Sequence, residues 1–220
     1  MLVNPLFHDR FQAGDVLGRK LIKTLTDLNP LVLGLPRGGV PVAYEIAQKL
    51  HADLDIFLVR KIGVPGQEEL AMGAIASGGT RVLNKPLIAH LGISPAVIEQ
   101  LTAREQQEIV RREKLYRGDR PALPIKRRTV ILVDDGLATG ASMLAAARAV
   151  RSQQPKRVIV AVPVASSDAC DEFKQHVDEV ICAYTPAPFH SVGVWYEDFS
   201  QTSESEVQEL LQQALRAHAT

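Results

Sequence analysis

The residues best placed to do chemistry are two adjacent carboxylates, Asp134 and Asp135. They follow the apolar run Val130-Ile131-Leu132-Val133 and precede Gly136-Leu137-Ala138-Thr139-Gly140-Ala141-Ser142 and an alanine-rich helical segment. This reads as a strand, a tight loop and a helix start. In an open parallel sheet, ligands bind outside the carboxyl ends of the strands, where this pair stands. Neighbouring carboxylates repel each other unless something neutralises them. A pair of ribose hydroxyls, both donors, would do so, as would a hydrated Mg²⁺ nearby. Gly136 and Gly140 let the loop curl with its N–H groups inward, forming an anion nest. The hydroxyls of Thr139 and Ser142 and the positive end of the following helix suit a phosphate monoester without a lysine or arginine. Carboxylates for a sugar diol and a nest for a phosphate together describe a ribose 5-phosphate. A plain strand-to-helix turn capped by serine explains neither the acidic pair nor both glycines.

Two further segments carry anion-binding chemistry. Leu33-Gly34-Leu35-Pro36-Arg37-Gly38-Gly39-Val40-Pro41 ends an apolar run and opens a helix, offering the Gly38 and Gly39 amides and the Arg37 side chain at a helix N-terminus. Phe57-Leu58-Val59-Arg60-Lys61-Ile62-Gly63-Val64-Pro65 places two cations just past another strand end. The segment Phe189 to Phe199 holds the only tryptophan, Trp195, beside Tyr196; core packing explains these aromatics as well as ring stacking does. The six histidines are scattered without metal-ligand spacing, and only His190, in this aromatic segment, draws interest.

These residues need a scaffold. Continuously apolar runs at 31–35, 54–59, 129–133 and 157–164, with a weaker one at 177–183, predict strands covered on both faces, the pattern of a parallel sheet. Helical spacing at 40–50, 141–153 and 166–175 alternates with them, which predicts a doubly wound α/β sheet of about five strands. The stretch 61–124 interrupts the alternation with a glycine-rich part, 63–79, and a long polar helix from the N-cap Ser94 to about Tyr116, and reads as an insertion on the sheet, largely helical between Gly73 and Arg120. Residues 203–217 predict a C-terminal amphipathic helix. We find no repeat or linker, so a single domain is expected over 1–220, with a core at about 30–60 and 128–184 and a hood or insertion at about 61–125 and 185–200.

Composition removes several function classes. At 220 residues with 46% hydrophobic and 23% charged residues, the chain can bury a sizeable core. Lys plus Arg and Asp plus Glu are 25 each, so no overall field draws it to nucleic acid or an acidic membrane surface. The stretch 104–128 is locally basic, nine Lys and Arg against four Asp and Glu, and reads first as a solvated helix face. Cys170 and Cys182 form no CxxC, which fits small buried residues in a reducing compartment. No apolar leader or long apolar span is present, so a cytoplasmic location is expected.

The segment from Val130 to Ser142 resembles the diphosphate-sugar signature of type I phosphoribosyltransferases. The resemblance extends from about Leu31 to Phe199 and is nearest to prokaryotic members without an assigned base. It implies a phosphoribosyltransferase-like α/β fold with a small hood. It also implies transfer of 5-phosphoribosyl from phosphoribosyl diphosphate to a nucleobase-like acceptor, with release of pyrophosphate. On this reading Asp134, Asp135 and Lys61 are catalytic. Phosphoribosyl diphosphate is bound by Arg37, Gly38, Gly39, Arg60, Lys61, Asp134, Asp135 and the loop Gly136, Leu137, Ala138, Thr139, Gly140, Ala141 and Ser142. Trp195 and Tyr196 would face the base. Mg²⁺ is the implied cofactor, held mainly through substrate with no dedicated cage. Gly136 stands where many members have a branched apolar residue. The expected partners are small molecules, without membrane or nucleic acid, and a homodimer is compatible by analogy of fold. The alternative is a non-catalytic regulator that senses phosphoribosyl diphosphate or a nucleotide and touches RNA through 104–128.

Overall fold

The computed structural model describes residues 4–25, 29–138 and 140–218. In chain order the elements are α1 (Arg10–Thr24), β1 (Leu31–Gly34), α2 (Gly39–Leu50), β2 (Asp53–Ile56), β3 (Val59–Val64), β4 (Gln67–Ala76), β5 (Arg81–Leu83), α3 (Lys85–His90), α4 (Pro95–Arg117), β6 (Thr129–Val133), α5 (Ala141–Ser152), β7 (Arg157–Val164), α6 (Ser167–Phe173), β8 (Glu179–Tyr184) and α7 (Glu204–His218). Strands β2-β1-β6-β7-β8 form a five-stranded sheet whose neighbours all pair in parallel, and β3-β4-β5 form a separate antiparallel sheet.

The continuous apolar runs fit this sheet because both of its faces are covered. Val32, Ile131, Val133 and Ile159 cluster with Leu17 and Leu21 of α1, Ile46 of α2 and Leu211 of α7. Leu31, Leu33, Leu132 and Val160 cluster with Met143 and Val150 of α5 and Phe173 of α6 on the other face. Each fully buried side chain of this size contributes about 1.5–3 kcal/mol, which fixes the strand ends that carry the loops. The chain winds from β1 through α2 to β2 on one side and from β6 through α5 to β7 on the other. The crevice therefore opens between the carboxyl ends of β1 and β6, where Gly34 and Val133 are in register.

Four features add to or correct these expectations. A first helix, α1, precedes β1; its Gly14 and Gly18 lower helix propensity, yet a Cβ at Gly14 would stand 2.7 Å from Glu45 Cβ and from the Val42 carbonyl oxygen, so close packing on α2 requires a bare position. The run expected at 54–59 is divided: β2 ends at Ile56, and Val59 already begins β3, so Arg60 and Lys61 lie on a hood strand. The glycine-rich part of the insertion, to which the sequence assigned no element, is an antiparallel sheet in which β3 and β4 pair through a hairpin turn at Gly66, while most of 73–120 is helical as expected, in α3 and α4. Finally, Cys170 on α6 and Cys182 on β8 are joined by a disulfide, since the helix lies along that strand. This replaces two independent buried residues and removes that support for a reducing compartment.

The polar helix α4 is capped as expected by Ser94, whose side chain accepts from the Val97 amide. Much of the basic stretch is neutralised within the fold. Arg117 is buried with Asp55 at 2.7 Å and donates to the Ile56 carbonyl oxygen, tying the end of α4 to β2. Arg111 and Arg112 both engage Glu108, and Arg128 engages Asp53. These pairs leave less open positive surface than the composition suggests. Among the described residues no helix is long and apolar enough to cross a membrane.

Candidate active site

The loops leaving β1 and β6 are pressed together. The Leu35 amide donates to the Val133 carbonyl oxygen at 2.8 Å, and the Gly39 amide to the Leu35 carbonyl oxygen at 3.0 Å, curling the first loop back over the strand end. A Cβ at Gly38 would lie 2.1 Å from Asp135 Oδ2, and one at Gly39 would lie 2.6 Å from the Val133 carbonyl oxygen. The segment Arg37-Gly38-Gly39 thus backs directly onto the carboxylate pair, and its glycines are what allow that approach. Its Pro36–Arg37 peptide is cis.

The second loop is pinned at its centre. Leu137 is buried, forms an isolated parallel bridge with Ala165, and its amide donates to the Val164 carbonyl oxygen at 2.9 Å. Gly140 takes a left-handed conformation, φ +69°, and no side chain caps α5 there. Without a capping group, the first turn of α5 offers its amides toward the loop. Phe173 of α6 covers Gly140 so closely that a Cβ would stand 2.4 Å from its ring. Val192 occupies the space over Gly136, where a Cβ would meet Cγ1 at 2.5 Å. The glycine that departs from the common motif is thereby explained by a neighbour distant in sequence. Ala138, Ala141 and Ser142 are exposed or nearly so on the rim, whereas Thr139 lies outside the described residues.

Both carboxylates sit low in the crevice. Burial and the neighbouring Asp135 charge push the Asp134 carboxyl well above its ordinary range. Burial also raises Asp135, opposed by the Arg10 guanidinium. Arg10 Nε donates to Asp135 Oδ2 at 2.9 Å, Nη1 donates to the Ser200 carbonyl oxygen at 2.7 Å, and the guanidinium lies 4.0 Å from the centre of the Phe199 ring. Arg10 escaped the sequence reading because its partner is 125 residues away and α1 itself was missed.

A raised carboxyl binds its proton more tightly folded than unfolded, so folding stability falls as pH climbs from the unfolded value, about 4, through the folded one. Asp134→Asn is therefore expected to melt higher than the parent at neutral pH, by about 2–4 °C for each kcal/mol relieved, with the gain fading toward pH 4. Thermal unfolding of both proteins across that range checks this. A variant less stable than the parent at neutral pH contradicts it.

Of the other expected residues, Lys61 and Ser142 come together. Both line a cavity of about 580 Å³ between the hood sheet and α5, walled by Val59, Ala74, Leu83 and Ala145. Both also line an adjoining hollow of about 390 Å³ with Arg60 and Glu105. Arg60 is held by Glu105 at 2.8 Å, whereas Lys61 is half exposed and 3.9 Å from the exposed Glu69. Trp195 and Tyr196, expected as stacking surfaces for a base, are 7% and 4% exposed and pack with Phe7 in an aromatic cluster. Their faces are therefore spent on protein. The Tyr196 hydroxyl donates to the Asp135 carbonyl oxygen, and burial raises its pKa. The residues around Trp195 and Glu197 exchange backbone hydrogen bonds with Leu6 and Phe7, which ties the N-terminal segment carrying Arg10 to this wall. His190 is exposed on the same segment.

Comparison with known proteins agrees with this geometry. Residues 8–194 match the phosphoribosyl transferase domain. Two Mycobacterium tuberculosis proteins, each provisionally named a phosphoribosyl transferase, are 42% identical over 214 residues, 97% of this chain and 48% of their own. The chain thus spans about half the length of the curated relatives it matches. The crystal structure of a Thermus thermophilus protein, TT1426, superposes with a TM-score of 0.84 at 42% identity, covering 94% of this chain and 98% of that one. A Neisseria gonorrhoeae protein solved with bound ppGpp shares the fold at 12% identity, with a TM-score of 0.53, covering 97% of this chain and 98% of its own. The strand order, the two facing loops and the match over most of the length lead to one assignment: this chain belongs to the phosphoribosyl transferase domain family.

Proposed function

We propose that the chain transfers a 5-phosphoribosyl group from phosphoribosyl diphosphate to a nitrogen of a nucleobase-like acceptor, releasing pyrophosphate. The observation that carries this reading is the contact between the two loops, with Gly38 against Asp135; on this reading the first loop is the diphosphate cradle and the second the sugar and phosphate site. The nest at the start of α5 anchors the 5-phosphate, and the acidic pair takes the 2- and 3-hydroxyls. With both ends of the sugar fixed, its anomeric carbon is held for attack. Arg37 and Lys61 face the charge that builds on the departing diphosphate. Arg60 joins them on release from Glu105.

Mg²⁺ fits the donor set. The oxygens in the crevice belong to Asp134 and Asp135, and Arg10 already takes one of them. That suits an ion which keeps waters and substrate oxygens as most of its ligands. When bound it would neutralise diphosphate charge.

The test is pyrophosphate release from phosphoribosyl diphosphate and Mg²⁺ with a panel of purines, pyrimidines and related heterocycles. Acceptor-dependent release supports the reading, and none across the panel, with no binding of phosphoribosyl diphosphate, sinks it. Within the same assay Lys61→Ala is expected to lower kcat about 10²-fold while KM changes little, because leaving-group charge is greatest in the transition state. A variant that changes only KM would remove Lys61 from that role.

A further inference from the structure

Arg10 lies outside the motif yet reaches the sugar site directly. Its guanidinium lies over the Phe199 ring while its edge donates from Nε to the Asp135 carboxylate and from Nη1 to the Ser200 carbonyl oxygen. Only 11% of the Arg10 side chain and 17% of that of Asp135 is exposed, so the pair is weakly screened by water. The Arg10 ion pair fixes the Asp135 side chain while the Tyr196 hydroxyl holds its carbonyl oxygen. Asp134 is held differently. Its Oδ1 accepts from the Asp135 amide at 2.9 Å, and among the described residues it forms no ion pair. Two carboxylates adjacent in sequence therefore stand in unequal settings.

We infer that Arg10 is a positioning residue of the sugar site, which anchors Asp135 by its Oδ2 against Gly38, so that its Oδ1 and the Asp134 carboxylate are presented to the vicinal diol. This rests on the reading that the crevice takes a phosphoribosyl group. One anchored carboxylate avoids the cost of two unpartnered ones at close range, and the Arg10 contact holds the shape of the crevice. The charged and titratable groups facing the pair are Arg10 from α1 and Tyr196 from the segment after β8; Asp198 acts on Arg10 from the same segment. The N-terminal segment, which the motif does not include, thus completes the site.

The test follows the aspartate carboxyl carbons by ¹³C NMR against pH in the unliganded parent, Arg10→Ala and Arg10→Lys. The binding of phosphoribosyl diphosphate with Mg²⁺ is measured by calorimetry alongside. Loss of the guanidinium is expected to move the Asp135 titration to higher pH and to weaken binding on the order of tenfold or more at neutral pH, while Arg10→Lys, which keeps the charge but not the fork, falls between Arg10→Ala and the parent in both. A packing role alone would lower the melting temperature without moving the titration. Phe199→Leu, which removes the ring under Arg10, should move the titration the same way by less, and decides the matter should Arg10→Ala not fold. An Asp135 titration that is unmoved in the folded variants overturns the inference. Should the parent bind no phosphoribosyl diphosphate, the proposed substrate fails while the carboxyl titration still decides the role of Arg10.

Discussion

Replacing both Asp134 and Asp135 with asparagine is expected to leave a folded protein that has lost phosphoribosyl transfer. Each carboxylate would accept a charge-assisted hydrogen bond from a ribose hydroxyl, worth about 1.5–3 kcal/mol. Together that is about 3–6 kcal/mol, or roughly 10²–10⁴ in kcat/KM. The fold should survive because Asn keeps the shape of Asp and removes the cost of burying charge, which raises both groups, together with the repulsion from Asp135 that adds to it at Asp134. Loss of the Arg10 ion pair offsets part of that gain. Circular dichroism and pyrophosphate release on the same sample separate the two effects. Parent-like kinetics in this variant would remove the pair from the chemistry.

The second large effect is expected at Gly140. A side chain there meets two penalties at once. Left-handed backbone costs a non-glycine residue about 1–2 kcal/mol, and crowding a packed interior costs about 1–3 kcal/mol more. Gly140→Ala has both, since its Cβ would lie 2.4 Å from the Phe173 ring at φ +69°. Gly92→Ala is the control: φ is +62° and nothing lies within 4 Å of the added carbon. The Gly140 variant should therefore lose roughly 2–5 kcal/mol and the Gly92 variant only the smaller, backbone part. Because Gly140 opens α5, its variant should also bind a phosphate monoester more weakly, while Gly92→Ala binds as the parent does. Equal melting shifts in the two would contradict the packing of Phe173 on the loop.

Different parts of this molecule were legible in the sequence to different degrees. The five core strands could be read because a sheet buried on both faces leaves unbroken Val, Ile and Leu runs, as at 129–133. The loop after β6 could be read because its backbone needs glycine and its position needs charge. What depends on distant neighbours could not. Gly136 looked like a departure until Val192 was found above it. Arg10 is one arginine among many until α1 brings it to Asp135. For Trp195 and Tyr196, whether an aromatic faces a ligand or a core is decided by what packs on it, here Phe7 and Phe189. The hood strand β4 alternates weakly and contains Gly73, so its pairing with β3 and β5 has no local signature.

On the proposed reading, the crevice between the Leu35–Gly39 and Asp134–Ser142 loops holds a phosphorylated ribose. A crystal of the protein soaked in ribose 5-phosphate measures this directly. Density for the phosphate is expected at the start of α5, with the 2- and 3-hydroxyls within hydrogen-bond reach of the two carboxylates and Arg10 still on Asp135. The sugar bound elsewhere, or a crevice filled by protein atoms at saturating ligand, would contradict it.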